Sequence, residues 1–269
     1  MKYKAFAIDL DGTLTNSRKE ITLNTLETLL EAQSRGLKLI LASGRPVYGI
    51  MPLAEQLKMK QFGGAILAFN GGVLYDLTEE KTVFEQCLSL DIIPYLHRKS
   101  QESNTTIMTY EGPTVITEDS DNKYVQHAAK LNKLPIKQVS NFSKSITKAP
   151  NKCLIVGEPS ILLSLEQEII HEVGDKINVF RSEDFFLELV PKGIDKAASL
   201  KILIDYMKID QQTLMAAGDS YNDISMIKFA GLGIAMANAK PEVLSVADFV
   251  TLSNEEDGVA YVIEKFVND

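Results

Sequence analysis

Cysteine is scarce: Cys87 and Cys153 are the two in 269 residues. Two are too few for a disulfide framework, and they lack the spacing of a metal site. They read as incidental thiols of a reducing compartment. Long apolar runs are missing as well. None approaches the roughly 18 residues that a membrane-spanning helix needs. The apolar stretch behind Lys2 and Lys4 stops at Asp9, too short for a secretory signal. The expected location is therefore the cytoplasm, with no membrane partner. Positive charge is short too, with 28 Lys and Arg against 36 Asp and Glu, a net charge of −8. A general nucleic-acid binder would carry a basic stripe, so no nucleic-acid partner is expected. A small anionic ligand stays open, because a local site can be positive on an acidic chain. No internal repeat or low-complexity tract is present, and nothing in the chain speaks to oligomeric state.

What is present is an ordinary globular composition, 45% hydrophobic and 24% charged. It suffices for a sizeable core in one large domain or two modest ones. The first third alternates strand and helix patterns. Residues 4–8, 37–42 and 65–69 read as buried strands. Residues 22–35 and 46–59 read as helices, the first stopped by Gly36 and the second carrying Pro46 at its start. Asn70-Gly71-Gly72 turns the chain. The same rhythm returns near the end, with helices at 196–207, 222–230, 240–245 and 258–266 and strands at 213–217, 232–236 and 249–250. Such βαβ alternation implies a parallel sheet with right-handed crossovers. The middle differs. It has polar connections, β-prone pieces at 105–110, 152–156, 178–181 and 185–190, and helical pieces at 92–103, 121–131 and 160–173. The expected fold class is α/β, a Rossmann-like doubly wound parallel sheet built from 1–83 and 189–269, with an α+β domain, 84–188, inserted into it.

Four strand or helix ends carry chemistry. The buried strand 4–8 runs into Asp9-Leu10-Asp11-Gly12-Thr13-Leu14. Residues i and i+2 of an extended chain point the same way, so both acids leave the strand on one side. Like charges that close repel unless a cation lies between them, and a hard divalent ion such as Mg²⁺ suits such oxygens. The alternative is a solvated acidic turn. Strand 37–42 ends in Ser43-Gly44-Arg45-Pro46, where a hydroxyl, a close backbone N–H and a helix start make an anion site, or an ordinary helix cap. Strand 213–217 ends in Gly218-Asp219-Ser220-Tyr221-Asn222-Asp223, whose acids either join a metal site or cap a helix. Lys196 sits in the first turn of a helix, the wrong charge for that end; it either balances an anion or is a solvated surface lysine.

Taken in order, these segments resemble the four motifs of the haloacid dehalogenase-like (HAD) phosphohydrolase superfamily: D-x-D-G-T-L at Asp9, S-G-R-P at Ser43, K-G-x-x-K from Lys192 to Lys196, and G-D-x-x-N-D from Gly218 to Asp223. The insert between the second and third motifs is similar to that of the Cof-type, C2-capped sugar phosphatases. The resemblance covers nearly the whole chain, Asn70-Gly71 included, with no departure at a catalytic position. It implies a Mg²⁺-dependent phosphatase of small phosphorylated metabolites, sugar phosphates above all, working through an aspartyl-phosphate. Asp9 would be the nucleophile. Asp11 would be general acid and then base, readily protonated because its side chain stays off the metal while its backbone carbonyl binds it. Asp219 would complete the metal shell, with Asp223 behind it or bound through water. Ser43, the Gly44 amide, Asn222 and the Leu10 amide would hold phosphate oxygens. Lys196 would neutralise both phosphate and nucleophile, and the insert would close over the substrate as a cap.

A strand order of 3-2-1-4-5 would put Asp9 and Asp219 on adjacent strands at the switch point. Arg45, Asn70, Glu111 and Gly112 are candidates for contacts outside the phosphate, or structural residues. His97, His127 and His171 have no ligand spacing and read as surface or packing residues. Two alternatives remain: a phosphotransferase or phosphomutase of the same superfamily, and a non-catalytic regulator that accepts phosphate on Asp9.

Overall fold

Ala5–Asp9 forms the first strand, β1, with every residue buried. Its apolar residues face both ways, as a strand covered on both faces requires. This is seen in a computed structural model, which describes residues 1–267. The chain divides into two units: Met1–Phe84 with the chain from Asp195 on, and Glu85–Ile194.

Along the first unit, helix α1, Leu23–Ser34, is capped by the Thr22 side chain, which accepts from the Thr25 N–H. Strand β2 is Lys38–Ala42. Helix α2, Val47–Gln56, and the short α3, Met59–Phe62, replace the single helix expected over 46–59. Lys58 takes a left-handed conformation, φ 52°, and breaks it. After β3, Ala65–Ala68, the chain turns back into β4, Val73–Asp76, antiparallel to it, and β5, Lys81–Glu85. Those two strands were not anticipated. They are short, and β5 has no buried residue to give it a period.

The second unit runs through α4 (Ile93–Glu102), β6 (Thr106–Glu111), β7 (Thr114–Thr117), α5 (Lys123–Asn132), β8 (Ile136–Gln138), α6 (Phe142–Ser145), β9 (Cys153–Val156), α7 (Pro159–Val173), β10 (Ile177–Glu183) and β11 (Phe186–Pro191). Its sheet has the order β10-β11-β9-β6-β7-β8. All pairs are antiparallel except β7 with β8. One face carries the apolar residues of α4 and α7, among them Leu96, Leu162 and Ile169, over Ile107, Ile155 and Leu187. The other packs Val125 and Ala128 of α5 on Met108 and Leu154. β11 continues past 188, pairing Pro191 with Ile177, so this unit runs on to Ile194.

The chain then returns to the first unit with α8 (Lys196–Met207), β12 (Leu214–Gly218), α9 (Ile224–Phe229), β13 (Leu232–Ala235), α10 (Pro241–Leu244), β14 (Phe249–Val250) and α11 (Gly258–Phe266). The helix expected over 222–230 is a single 3₁₀ turn, Tyr221–Asp223, followed by α9, because the Asp223 side chain bonds back to the loop before it.

The eight-stranded sheet has the order β14-β13-β12-β1-β2-β3-β4-β5. It is parallel from β14 to β3. Leu200, Leu203 and Ile204 of α8 and Met226 of α9 pack on Ala5, Ala7, Ile40 and Ala216. Phe6, Ile8, Leu39 and Leu41 face the opposite way along their strands and are equally buried. This is the doubly wound α/β arrangement. β1 lies between β2 and β12, with Ile8 beside Ala217 and Asp9 beside Ala42. The switch point therefore brings Asp9, Ser43 and Asp219 to one edge of the sheet. No helix of the described residues is long and apolar enough to cross a membrane.

Candidate active site

Lys196 is the centre of the site. It is the first residue of α8, behind Asp195, whose carboxylate accepts from the N–H groups of Ala197 (2.7 Å) and Ala198 (2.9 Å). That cap answers the helix terminus and leaves the lysine to reach inward. Its side chain is fully buried. Nζ donates to Asp9 Oδ1 at 2.6 Å, Asp223 Oδ1 at 2.6 Å and the Ala42 carbonyl at 3.0 Å. All three ammonium hydrogens thus have an acceptor. Burial alone would strip its proton, but the charges of Asp223 and Asp9 outweigh that and hold it above its ordinary range.

Around it stand three carboxylates. Asp9, Asp219 and Asp223 each offer an oxygen within 4.8 Å of the others. Burial, then the charge of Asp223, pushes the Asp9 carboxyl well above its usual range, against the pull of Lys196. Burial and the same neighbour push Asp219 up to about 6. Asp223 is committed on both sides: Oδ1 to Lys196, and Oδ2 to the N–H groups of Asp219 (3.0 Å) and Ser220 (2.9 Å). Asp219 Oδ1 accepts from the Thr13 hydroxyl at 3.2 Å. Gly12, at φ 87°, sits so close that a Cβ there would meet Asp219 Oδ2 at 2.5 Å.

Asp11 turns away from this cluster. Its carboxylate takes a two-pronged contact from Arg45, Nε to Oδ2 at 2.8 Å and Nη2 to Oδ1 at 2.5 Å, and a third from Lys19 at 2.8 Å. Burial would raise its carboxyl, yet the bonds and charge of Arg45, aided by Lys19, carry it below the usual value. These contacts oppose the ready protonation expected of Asp11. Its side chain is off the acidic cluster, as expected, but on two cations. Arg45, a candidate for contacts outside the phosphate, is instead this partner.

The family model for haloacid dehalogenase-like hydrolases matches residues 6–263. The chain belongs to that family. A haloacid dehalogenase-like hydrolase from Bacteroides thetaiotaomicron has the same fold, with a TM-score of 0.95 and 48% identity over 98% of this chain and 99% of its own. TM0651 from Thermotoga maritima follows at 0.89 and 29%, over 99% and 98%. Among curated proteins, 5-amino-6-(5-phospho-D-ribitylamino)uracil phosphatase YcsE of Bacillus subtilis is 30% identical over 98% of this chain and 96% of its own.

In this HAD-like hydrolase the residues named from sequence divide clearly. Asp9, Lys196, Asp219 and Asp223 come together. Leu10 is buried between the two acids, its carbonyl accepting from the Thr15 N–H and hydroxyl, both at 2.9 Å. Ser43 is buried, and its Oγ accepts from the Arg45 N–H at 3.2 Å. Asn222 is exposed at the same edge, its amide donating to Asn70 Oδ1 at 3.0 Å. A Cβ on Gly44 would meet Asn70 Nδ2 at 3.2 Å, so Gly44, Asn70 and Asn222 form one patch. Lys192 lies in the other unit, where its ammonium donates to the Gly174 carbonyl. Glu111 is the exposed last residue of β6, and Gly112 begins the exposed turn to β7. His97 is buried, 3.0 Å from Glu118 and beside Phe142, whereas His127 and His171 are exposed on α5 and α7. Lys19 and Thr13 were not anticipated. A lysine five residues beyond a motif carries no periodic signal.

The donor set fits a hard divalent cation. Three carboxylates cluster around one ammonium, which bonds two of them, all donors are oxygen, and burial and the charge of Asp223 hold Asp9 and Asp219 above their ordinary range. Both oxygens of Asp223 are engaged, so Asp9 and Asp219 are the carboxylates that could ligate such an ion directly.

Proposed function

We propose that this chain is a Mg²⁺-dependent phosphatase that hydrolyses small phosphorylated metabolites, sugar phosphates foremost, through an aspartyl-phosphate on Asp9. The observation that carries the reading is the Asp9–Lys196–Asp223 constellation: a buried carboxylate at the switch point, held by a lysine from α8 with all three of its hydrogens committed. Family membership and the name of the YcsE relative, a phosphatase of a phosphorylated ribityl compound, support the reaction and the substrate class.

The steps follow from the residues. An Asp9 oxygen attacks phosphorus and the bond from phosphorus to the ester oxygen breaks. The leaving oxygen takes a proton from Asp11. A water oxygen then attacks that phosphorus, the bond from phosphorus to the Asp9 oxygen breaks to free inorganic phosphate and the Asp9 carboxylate, and Asp11 accepts the proton of the water. The Arg45 and Lys19 contacts keep Asp11 ionised, which suits the second half. In the first half, its proton must be gained against them. Ser43, the Gly44 and Leu10 amides and Asn222 hold the phosphate oxygens. Lys196 offsets the repulsion between nucleophile and phosphate, usually the largest catalytic contribution. Asp9 and Asp219, with the Asp11 carbonyl and with Asp223 behind them, would hold Mg²⁺, which supplies further charge neutralisation at the phosphate.

Purified protein with Mg²⁺, assayed on a panel of phosphorylated metabolites and scored by kcat/KM, tests this. Inorganic phosphate is released, and Asp9→Asn stops the release without unfolding the protein. No release from any ester refutes the function. Turnover retained by Asp9→Asn refutes the nucleophile.

A further inference from the structure

The tip of β3 supplies none of the four motifs, yet it touches two of them and the helix that begins at a third. Phe69, Asn70 and Gly71 are all left-handed, at φ 52°, 56° and 107°. Glycine takes that conformation freely, asparagine tolerates it, and phenylalanine resists it. The run persists because its surroundings hold it. The Phe69 N–H donates to the Arg45 carbonyl at 3.0 Å, and the Asn70 N–H to the Ser43 carbonyl at 2.9 Å. The Gly71 carbonyl accepts from the Ser199 hydroxyl of α8 at 2.9 Å. Any Cβ on Gly71 would meet that hydroxyl oxygen at 2.4 Å. The Asn70 side chain meanwhile lies against Gly44 and accepts from the Asn222 amide at 3.0 Å.

We infer that Asn70 is a positioning residue of the phosphate site, orienting the Asn222 amide against the Ser43–Gly44 loop. The inference rests on the reading of that loop and Asn222 as the phosphate grip. The half-buried Asn70 fixes an otherwise exposed side chain from a different strand end. An asparagine amide has two N–H groups. One is aimed at Asn70 Oδ1, which leaves the second in a set direction for an oxygen of the ligand. The left-handed backbone puts the Asn70 side chain between the two loops.

Asn70→Gly keeps the backbone conformation and deletes the side chain, so it separates the two roles. The probes are Mg²⁺-loaded full-length protein, a turned-over phosphate ester and inorganic phosphate. The variant is expected to keep its urea midpoint, to raise KM and to weaken inorganic phosphate by about three- to tenfold, the scale of one net hydrogen bond, while kcat changes less. In the Asn222→Ala background the same substitution should cost nothing further, since its route of action is gone. Unchanged KM and phosphate affinity overturn the inference, as does a loss undiminished in the Asn222→Ala background. A drop confined to stability makes the tip a structural turn and also overturns it. Asn222→Ala alone leaves the tip intact and must weaken phosphate at least as much; failing that, the inference is wrong whatever becomes of the Asn70 variant. Wild-type protein that releases no phosphate in the same assay overturns the phosphatase reading instead, while calorimetry with inorganic phosphate still reads the Asn70–Asn222 coupling.

Discussion

Replacing Lys196 with methionine removes the ammonium that joins two buried carboxylates. Methionine is close in size and flexible, so packing suffers little. The loss is electrostatic: Asp9 and Asp223 each sit 2.6 Å from Nζ, and Asp223 and Lys196 have no solvent exposure. Breaking a buried pair by deleting one partner costs about 3–5 kcal/mol. The urea midpoint should fall by on the order of 1 M. The penalty has a pH signature. Asp9 already lies above its usual range with the lysine present, and goes higher without it. A carboxyl whose folded-state pKa is raised burdens the fold above that value and is relieved as pH falls towards its unfolded value, near 4. The deficit should therefore be larger at pH 8 than at pH 5. Adding Asp223→Asn removes one of the stranded charges and should recover part of the midpoint at pH 8. Phosphate release should fall by about 10²–10³-fold or more in kcat. Urea unfolding of the three proteins at both pH values, read by circular dichroism, decides it. A midpoint within about 0.3 M of wild type at pH 8, or a deficit equal at both pH values, refutes the charge argument.

Other outcomes follow from the same geometry. Asp219 titrates at about 6 without metal, so its proton must leave before it can ligate, and calorimetry should show Mg²⁺ binding markedly tighter at pH 7.5 than at 5.5. Equal affinity at both would contradict its place in the shell. Gly12→Ala forces a Cβ to within 2.5 Å of Asp219 Oδ2 and strains a left-handed turn; Mg²⁺ affinity, measured by calorimetry, should drop by roughly 10–100-fold. Arg45→Met leaves Asp11 without its fork and should lower stability by about 1–3 kcal/mol at pH 7. Because Arg45 depresses the Asp11 pKa, that deficit should shrink as pH falls below the usual carboxylate range, and thermal unfolding at pH 7 and 3.5 would show whether it does.

Much of this was legible in the chain because the parallel strands are apolar on both faces and end abruptly in polar residues. Asp9, Ser43 and Asp219 each stand where a buried strand stops, and β-pairing brings those ends together. Lys196 was legible as a charge on the wrong helix end. The direction in which Asp11 points was not. Alternation along an extended strand predicts that Asp9 and Asp11 share a side, but the chain has left the sheet by Asp11, and a cation from the next motif, Arg45, decides its contact. Nor was the Asn70–Asn222 bond, since it joins residues 152 apart in sequence through side chains alone. The hairpin strands β4 and β5 were missed because one is four residues long and the other exposed.

The order of strands has a consequence for synthesis. β1 lies between β2 and β12, and β12 is made about 200 residues after it. At ~5–20 residues per second, that is a delay of roughly 10–40 s. For that time the nascent sheet of β1, β2, β3 and β4 has one apolar, unpaired margin, the kind that invites pairing with a neighbouring chain. The second unit has all of its strands between Thr106 and Pro191, so it can close while the first still waits. The strand that ends in Asp9 is thus the first to be made and among the last to be enclosed. Slowing translation anywhere between β4 and β12, the second unit included, lengthens that exposure and is where misassembly of this protein would be provoked.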